Sequence, residues 1–164
     1  MKKIVVITSG GMDSTVLLHE LRRRGHLLRA LAVNYGQRHA RELACAALQA
    51  NSLGIPFEIA PLMGLRSILP GSSLTDDKVA VPHGHYAEAS MKATVVPNRN
   101  MILLAIAIGH AIAHGFDTVA YGAHAGDHAI YPDCRPEFAL AMEHVASLCD
   151  YNPISLVRPF IDVD

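Results

Sequence analysis

Short apolar runs alternate with segments of helical periodicity in the first half of the chain. Residues 3–8 form a β-branched run, and after a pair of glycines apolar residues recur at helical spacing over 16–21. The same signals return as a strand at 28–34, a helix at 38–53 ended by a glycine, and a strand at 56–60. Two strand–helix units in series predict a parallel sheet.

The second half continues the alternation. The pattern predicts a helix over 99–114, a buried strand over 117–121, a helix over 136–148 and a last strand within 154–160. With right-handed crossovers, helices cover both faces of such a sheet. The sequence therefore predicts a single doubly wound α/β domain over 1–164, with ligands bound beyond the carboxyl ends of the strands.

One long segment, residues 61–98, carries no strong periodicity. It is too long for a passive connection in a compact domain and contains Gly, Ser, Pro and His. A lid over the site and a disordered segment are the two interpretations, and we favour the lid.

Composition and charge narrow the class of protein. Of the 164 residues 51% are apolar and 18% charged, and 14 Lys and Arg against 15 Asp and Glu leave a formal net charge of −1. No overall cationic field exists to hold nucleic acid or anionic lipid, and the longest apolar run, 101–108, is too short to span a membrane. Three widely spaced cysteines indicate a reducing compartment, so we expect a cytoplasmic protein without direct nucleic-acid or membrane contact.

The loop between the first strand and the first helix has the chemistry of a phosphate site. Backbone amides at a helix N-terminus point towards a docked anion, glycines allow close approach, and the hydroxyls can donate to phosphate oxygens. The loop lacks the Lys of a Walker A motif. The alternative is an ordinary helix start capped by an Asp, Ser or Thr side chain. The residues that we assign to phosphate binding are Thr8, Ser9, Gly10, Gly11, Met12, Asp13, Ser14 and Thr15.

Further strings add to this loop. They are Tyr-Gly-Gln-Arg-His at 35–39, Ser-Ser-Leu-Thr at 72–75, Pro-Asn-Arg-Asn at 97–100, Gly-Ala-His-Ala-Gly-Asp-His at 122–128, and Tyr-Pro-Asp-Cys-Arg-Pro-Glu-Phe at 131–138. With the Ser-Gly-Gly-Met-Asp-Ser loop they resemble the 7-cyano-7-deazaguanine synthase family of ATP pyrophosphatases, in the same order over nearly the whole chain.

The resemblance implies an ATP-dependent ligase of queuosine and 7-deazapurine biosynthesis. Such an enzyme converts 7-carboxy-7-deazaguanine and ammonia into the nitrile through an adenylated intermediate. It implies ATP as a cofactor, with magnesium. From the loop residues, Asp13 could hold the magnesium, and we expect a homo-oligomer, such as a homodimer. Two alternatives stay open: another ATP pyrophosphatase of the amidotransferase or tRNA-thiolation type, and a non-catalytic nucleotide-binding module.

In such a reaction, negative charge develops on the phosphates of ATP and on the carbon that ammonia attacks. Cations and oriented dipoles are needed to stabilise this charge. Arg38 and Arg99 begin predicted helices, where Arg is not favoured by the helix dipole, so an anion contact is a plausible reason for them. Arg135 precedes Pro136 at another predicted helix start, where Asp133 could instead act as an ordinary cap. We assign catalytic roles to Asp13, Arg38, Arg99, Asp133 and Arg135, and substrate contacts to Tyr35, Gln37, Asp127, His128, Tyr131 and Asp133.

Ten histidines raise the question of metal binding. His110 and His114 lie four residues apart on a predicted helix, and His83 and His85 two apart in the long loop. Ordinary surface or core histidines are the commoner interpretation of such pairs. Cys134 is interpreted as a packed or substrate-lining thiol, because adenylating chemistry needs no thiol nucleophile.

Two features depart from the family pattern. The resemblance implies a C-terminal segment with four zinc-binding cysteines, which Cys45, Cys134 and Cys149 cannot supply, so zinc is not assignable in this chain. We expect either a truncated chain or the segment on another chain. The family usually places Gly where Asn98 stands, and since Asn tolerates the left-handed backbone, we expect the turn to survive.

Overall fold

The strands and helices follow the predicted order. The computed structural model describes residues 1–36, 41–69, 72 and 95–163. The elements are β1 (Lys3–Ile7), α1 (Met12–Arg23), β2 (Leu27–Asn34), α2 (Arg41–Ser52), β3 (Phe57–Pro61), α3 (Leu65–Ile68), α4 (Arg99–Ala113), β4 (Thr118–Ala120), α5 (Pro136–Ser147) and β5 (Ser155–Val157). Short 3-10 turns at Ala125–Asp127 and Pro132–Cys134 join β4 to α5.

The five strands form a parallel sheet in the order β3-β2-β1-β4-β5. β1 lies at the centre, with Val5 opposite Arg29 on β2 and opposite Val119 on β4. The chain moves outward to one side through β2 and β3 and then returns to the other side of β1. This reversal lies between β1 and β4, where a parallel sheet opens a crevice at its carboxyl edge.

Helices cover both faces of the sheet, as the apolar pattern predicted. Ile4 and Val6 of β1 pack with residues of α1 and α2, whereas Val5 packs with residues of α4 and α5. All three side chains are fully buried. Because β1 is covered on both faces, its sequence is a continuous apolar run without polar alternation.

The apolar helix α4 belongs to the core. Leu104, Ala107, Ile108 and Ala111 line its buried face at helical spacing. No helix in the part of the chain that the structure describes is long and apolar enough to cross a membrane.

In its described part, the long segment expected to be irregular forms a short helix, α3, which the periodicity did not predict. Four residues are too short for a hydrophobic period to be read from sequence. Most of the proposed lid, residues 70–71 and 73–94, lies outside the described residues, as do His83 and His85. The lid assignment therefore stays a prediction.

Candidate active site

A cleft of about 320 Å³ opens at the carboxyl edge of the sheet. Its walls come from the loops after β1, β2 and β4 and from the first turns of α2 and α4. The sequence-predicted residues that line it are Thr8, Ser9, Asp13, Ser14, Tyr35, Arg99 and Asp127. The cleft therefore lies at the point where the strand order reverses, as expected for a doubly wound sheet.

Gly10 lets the loop after β1 pack directly against α2. Its φ of +86° lies in the left-handed region, and a Cβ at this position would lie 2.0 Å from the carbonyl oxygen of Glu42. Neither the backbone conformation nor the contact tolerates a side chain. The first turn of α2 therefore forms one wall of the cleft.

Hydroxyl groups hold the turn in shape from within. The amide of Gly11 donates to Ser9 Oγ at 3.2 Å. The hydroxyls of Ser14 and Thr15 donate to the carbonyl oxygen of Gly11 at 3.1 and 2.9 Å. In this arrangement the Ser14 and Thr15 hydroxyls support the loop, whereas the sequence had suggested that they donate to phosphate.

The first turn of α1 presents open backbone donors. Its N-cap residue is Gly11, and no side chain caps the helix, so the alternative of an ordinary capped helix start does not hold. Among the described residues, the amides of Met12, Asp13 and Ser14 donate no hydrogen bond. Unpaired amides at the positive end of a helix dipole are the geometry that binds a phosphate group.

Gly122 brings the loop after β4 against this turn. A Cβ at Gly122 would lie 3.3 Å from the carbonyl carbon of Asp13 and 3.4 Å from the amide nitrogen of Ser14. The shorter distance is tighter than ordinary van der Waals contact, so a side chain here would have to shift the first turn of α1 by a few tenths of an ångström. Gly122 belongs to the string at 122–128, but no role was predicted for it. Its position directly after a buried strand was the signal.

Two carboxylates that line the cleft, Asp13 and Asp127, flank His124. His124 Nε2 lies 3.8 Å from Asp13 Oδ2 and 3.6 Å from Asp127 Oδ2. Burial raises the pKa of Asp127, although His124 and Arg99 oppose this effect. The side chain of Asp13 is 49% exposed and that of Asp127 is 19% exposed, so Asp13 lies at the mouth and Asp127 deeper. A solvated carboxylate beside a phosphate site is the donor that magnesium prefers, and Asp13 fits it.

Arg99 supplies a positive charge at the start of α4. Burial opposes this charge, but Tyr35 and Asp133 outweigh burial and raise the pKa of Arg99. Its guanidinium carbon lies 5.7 Å from the centroid of the Tyr131 ring, within the range of a cation–π contact. The preceding residue, Asn98, adopts the left-handed conformation with φ 57°, which confirms the expected turn.

Asp133 caps α4 rather than the helix that follows it. Its Oδ2 accepts a hydrogen bond from the backbone amide of Asn100 at 2.8 Å, and its carbonyl oxygen accepts from Asn100 Nδ2 at 3.0 Å. α5 has Arg135 as its N-cap residue and no side-chain cap. The alternative that Asp133 caps α5 is wrong, because no side chain caps that helix. The carboxylate instead accepts from the amide of Asn100, which lies 33 residues away in sequence.

Comparisons with known proteins decide the family. The sequence model of the family described as queuosine biosynthesis protein QueC matches residues 3–164. The chain belongs to this family. It is 53% identical over 161 residues to the 7-cyano-7-deazaguanine synthase of Marinobacter nauticus, covering 98% of this chain and 72% of the relative. It is 51% identical over 160 residues to the enzyme of the same name from Alteromonas mediterranea, covering 98% and 73%.

Solved structures confirm the fold class of this QueC-family chain. A predicted subunit of tRNA methyltransferase from Methanocaldococcus jannaschii matches with a TM-score of 0.61 at 16% identity, covering 100% of this chain and 70% of that one. The U34-tRNA thiolase NcsA from Methanococcus maripaludis matches with a TM-score of 0.54 at 18% identity, covering 99% and 53%. At these identities the likeness shows the fold alone.

The other predicted residues either do not line the described cleft or lie outside the described residues. Arg135 is exposed, does not line the described cleft, and donates from Nε to the carbonyl oxygen of His128 at 2.9 Å. His128 is half-buried, and its buried Nε2 has no hydrogen-bond partner in the described chain. Tyr131 is buried beside Arg99. Gln37 and Arg38 lie outside the described residues, so their roles stay predictions.

Tyr121 is a cleft residue that the sequence analysis missed. Its hydroxyl and that of Thr8 are buried and have no hydrogen-bond partner in the described part of the chain. Burial raises the pKa of Tyr121 to about 12, so the hydroxyl stays a donor at neutral pH. Thr8 directly follows β1 and Tyr121 directly follows β4, at the carboxyl edge of the sheet. This position after a buried strand could have identified Tyr121 from the sequence.

Cys134 lies beneath the same cleft as a buried thiol. Burial, with Asp127 and Asp133, raises its pKa to about 12. Its Sγ accepts a hydrogen bond from Asn100 Nδ2 at 3.1 Å. A thiol that stays protonated is a poor nucleophile, in agreement with its interpretation as a cleft-lining group.

Proposed function

We propose that this chain is an ATP-dependent ligase that converts 7-carboxy-7-deazaguanine and ammonia into 7-cyano-7-deazaguanine. The observation that carries the proposal is the row of open amides at Met12, Asp13 and Ser14, at the edge of a cleft that also holds Arg99. The name shared by relatives at about half identity supports the choice of substrate.

The chemistry explains why such a cleft needs phosphate binding before anything else. A carboxylate resists attack because it carries negative charge and has no good leaving group. Transfer of its oxygen to the α-phosphorus of ATP releases pyrophosphate and forms an acyl adenylate, which ammonia opens to an amide and AMP. A second ATP then adenylates the amide oxygen and releases pyrophosphate, and loss of AMP and of the protons on nitrogen leaves the nitrile.

Each step places charge where the described residues can stabilise it. The open amides of α1 would bind the pyrophosphate part of ATP as it departs, and Arg99 would offset charge on the phosphates. Asp13 would hold magnesium, which neutralises phosphate charge when bound. Asp127, deeper in the cleft, would accept hydrogen bonds from the ring N–H and amino donors of the deazaguanine. His128, Tyr131 and Asp133, which the sequence also assigned to substrate contacts, do not line the described cleft, so those contacts stay predictions.

A proline substitution tests the phosphate site directly. Met12 is the first residue of α1 and is exposed, and the preceding Gly11 has the extended backbone, φ −75° and ψ 172°, that a residue before proline requires. Met12→Pro therefore removes one open N–H without disturbing the helix, whereas Met12→Ala keeps it. A hydrogen bond to a charged group is worth about 1.5–3 kcal/mol, so Met12→Pro should weaken ATP binding roughly 10- to 100-fold.

The activity itself is tested with the whole chain. ATP, magnesium, ammonium and 7-carboxy-7-deazaguanine are incubated with the protein, the nitrile is sought by mass spectrometry, and AMP is measured against ADP. Nitrile with AMP is the expected result. ATP binding without nitrile would favour a nucleotide-binding module. Equal ATP affinity in Met12→Pro and Met12→Ala would show that the amide of residue 12 does not bind the phosphates of ATP.

A further inference from the structure

A second cluster of chemically active side chains lies away from the cleft. His110 on α4, His114 directly after it and Glu58 on the edge strand β3 each place one ligand atom within 4.8 Å of the others. His110 Nε2 lies 3.8 Å from Glu58 Oε2, and the two imidazole rings have centroids 4.1 Å apart. The helical spacing of four residues brings both rings to one side of α4.

The Nε2 atoms of His110 and His114 are free to bind a ligand in the described chain. His110 Nε2 is buried and has no hydrogen-bond partner among the described residues. His114 Nδ1 lies 2.9 Å from the carbonyl oxygen of His110. Since a carbonyl only accepts, Nδ1 carries the proton, and the lone pair of His114 is on Nε2. A hydrogen bond from the far ring nitrogen to a carbonyl is how proteins fix the tautomer of a metal-binding histidine.

Glu58 is oriented in a similar way. Its Oε1 accepts a hydrogen bond from Arg29 at 2.7 Å, and its Oε2 is the oxygen that approaches His110. Arg29 therefore holds the carboxylate in place, although its positive charge also opposes a cation.

We propose that Glu58, His110 and His114 form a binding site for a divalent transition metal of the zinc type. Two imidazoles and one carboxylate are a donor set that zinc accepts, with a water completing four ligands. The unpartnered nitrogen of His110, costly when left alone in a buried place, gains a partner when the metal binds.

The site is separate from the candidate active site. Arg99 at the start of α4 lines the cleft, and His110 follows 11 residues later, which at the helical rise of 1.5 Å corresponds to about 16 Å. The metal would join the edge strand β3 to α4, so its effect is expected on stability. The proposal is therefore independent of the proposed ligase activity.

Zinc titration of the whole chain, without a histidine tag, tests the site. At a free zinc concentration about 100 times the dissociation constant, the linkage relation predicts that Tm rises by roughly 5–10 °C for a chain of this size. His114→Ala changes an exposed residue and should fold normally, yet it should lose most of this rise and bind zinc at least 10-fold more weakly. Glu58→Gln, also at an exposed residue, should weaken binding in the same direction.

Controls separate this site from other zinc ligands. His144→Ala removes an exposed histidine on α5, and Cys45→Ser with Cys149→Ser removes both exposed thiols. Zinc stabilisation should persist in both controls, and cobalt(II) should give visible absorption without a thiolate charge-transfer band. Unchanged zinc affinity in His114→Ala, or a thiolate band that disappears with the two serine substitutions, would overturn the proposal.

Discussion

Replacing Tyr121 with Phe should stabilise the protein and weaken ligand binding at the same time. The Tyr121 side chain is 5% exposed and lines the cleft, and its hydroxyl has no partner in the described chain. A buried polar group without a partner costs about 1–3 kcal/mol, and Phe keeps the ring while it removes that group. We expect the free energy of unfolding to rise by about 1 kcal/mol, which corresponds to roughly 2–4 °C in Tm.

Binding should change in the opposite direction if this hydroxyl donates to a ligand. A hydrogen bond to a neutral acceptor contributes about 0.5–1.5 kcal/mol and one to a charged acceptor about 1.5–3 kcal/mol. Loss of either corresponds to roughly 2- to 100-fold weaker affinity. Burial raises the pKa of Tyr121 to about 12, so the hydroxyl stays protonated between pH 6 and 9. The loss of affinity in Tyr121→Phe should therefore be the same across this pH range.

Urea unfolding and calorimetric titration measure the two effects separately. ATP and the deazaguanine acid are titrated one at a time, so that the ligand contacted by the hydroxyl is identified by which affinity falls. Tyr151→Phe is the matched control, because Tyr151 is fully exposed and should change neither quantity. A Tyr121→Phe protein that is less stable by 1 kcal/mol or more would show that the hydroxyl has a partner in the folded chain, and the reasoning would be refuted.

Further substitutions test the loop, the helix cap and the buried carboxylate. Gly10→Ala should cost more than about 3 kcal/mol in urea unfolding, because strain and overlap with α2 add, whereas Gly25→Ala, left-handed with nothing within 4 Å, should cost about 1–2 kcal/mol. Asp133→Ala should cost about 2 kcal/mol through loss of the charged cap on Asn100, and an unchanged urea midpoint would contradict that role. Burial raises the pKa of Asp127, so its negative charge lowers stability at neutral pH. Below the usual pKa range of carboxyl groups the side chain is protonated in both the folded and the unfolded chain, and this cost disappears. Asp127→Asn should therefore raise Tm at pH 7 but not in acid.

Local patterns were sufficient for the order of elements and for the glycine turn after β1. The strands and helices were predicted to within a few residues because burial on both faces leaves continuous apolar runs, and helical spacing leaves a period near 3.6. The turn at Ser9–Ser14 was predictable because its glycines and hydroxyls are contiguous. Asn98 was likewise predictable, since its left-handed backbone is a local preference.

The rest of the site depends on which distant segments meet. Asp133 caps α4 rather than α5, through a contact between residues 33 positions apart. His124 approaches Asp13 across more than 100 residues of sequence, whereas its contact with Asp127 is local. The Tyr121 hydroxyl is buried without a hydrogen-bond partner among the described residues. The sequence by itself determined the elements and the glycine turn before α1, because both follow from neighbours along the chain. The tertiary structure alone decided the partners of the cleft residues, because contact distances and burial arise only when remote segments pack.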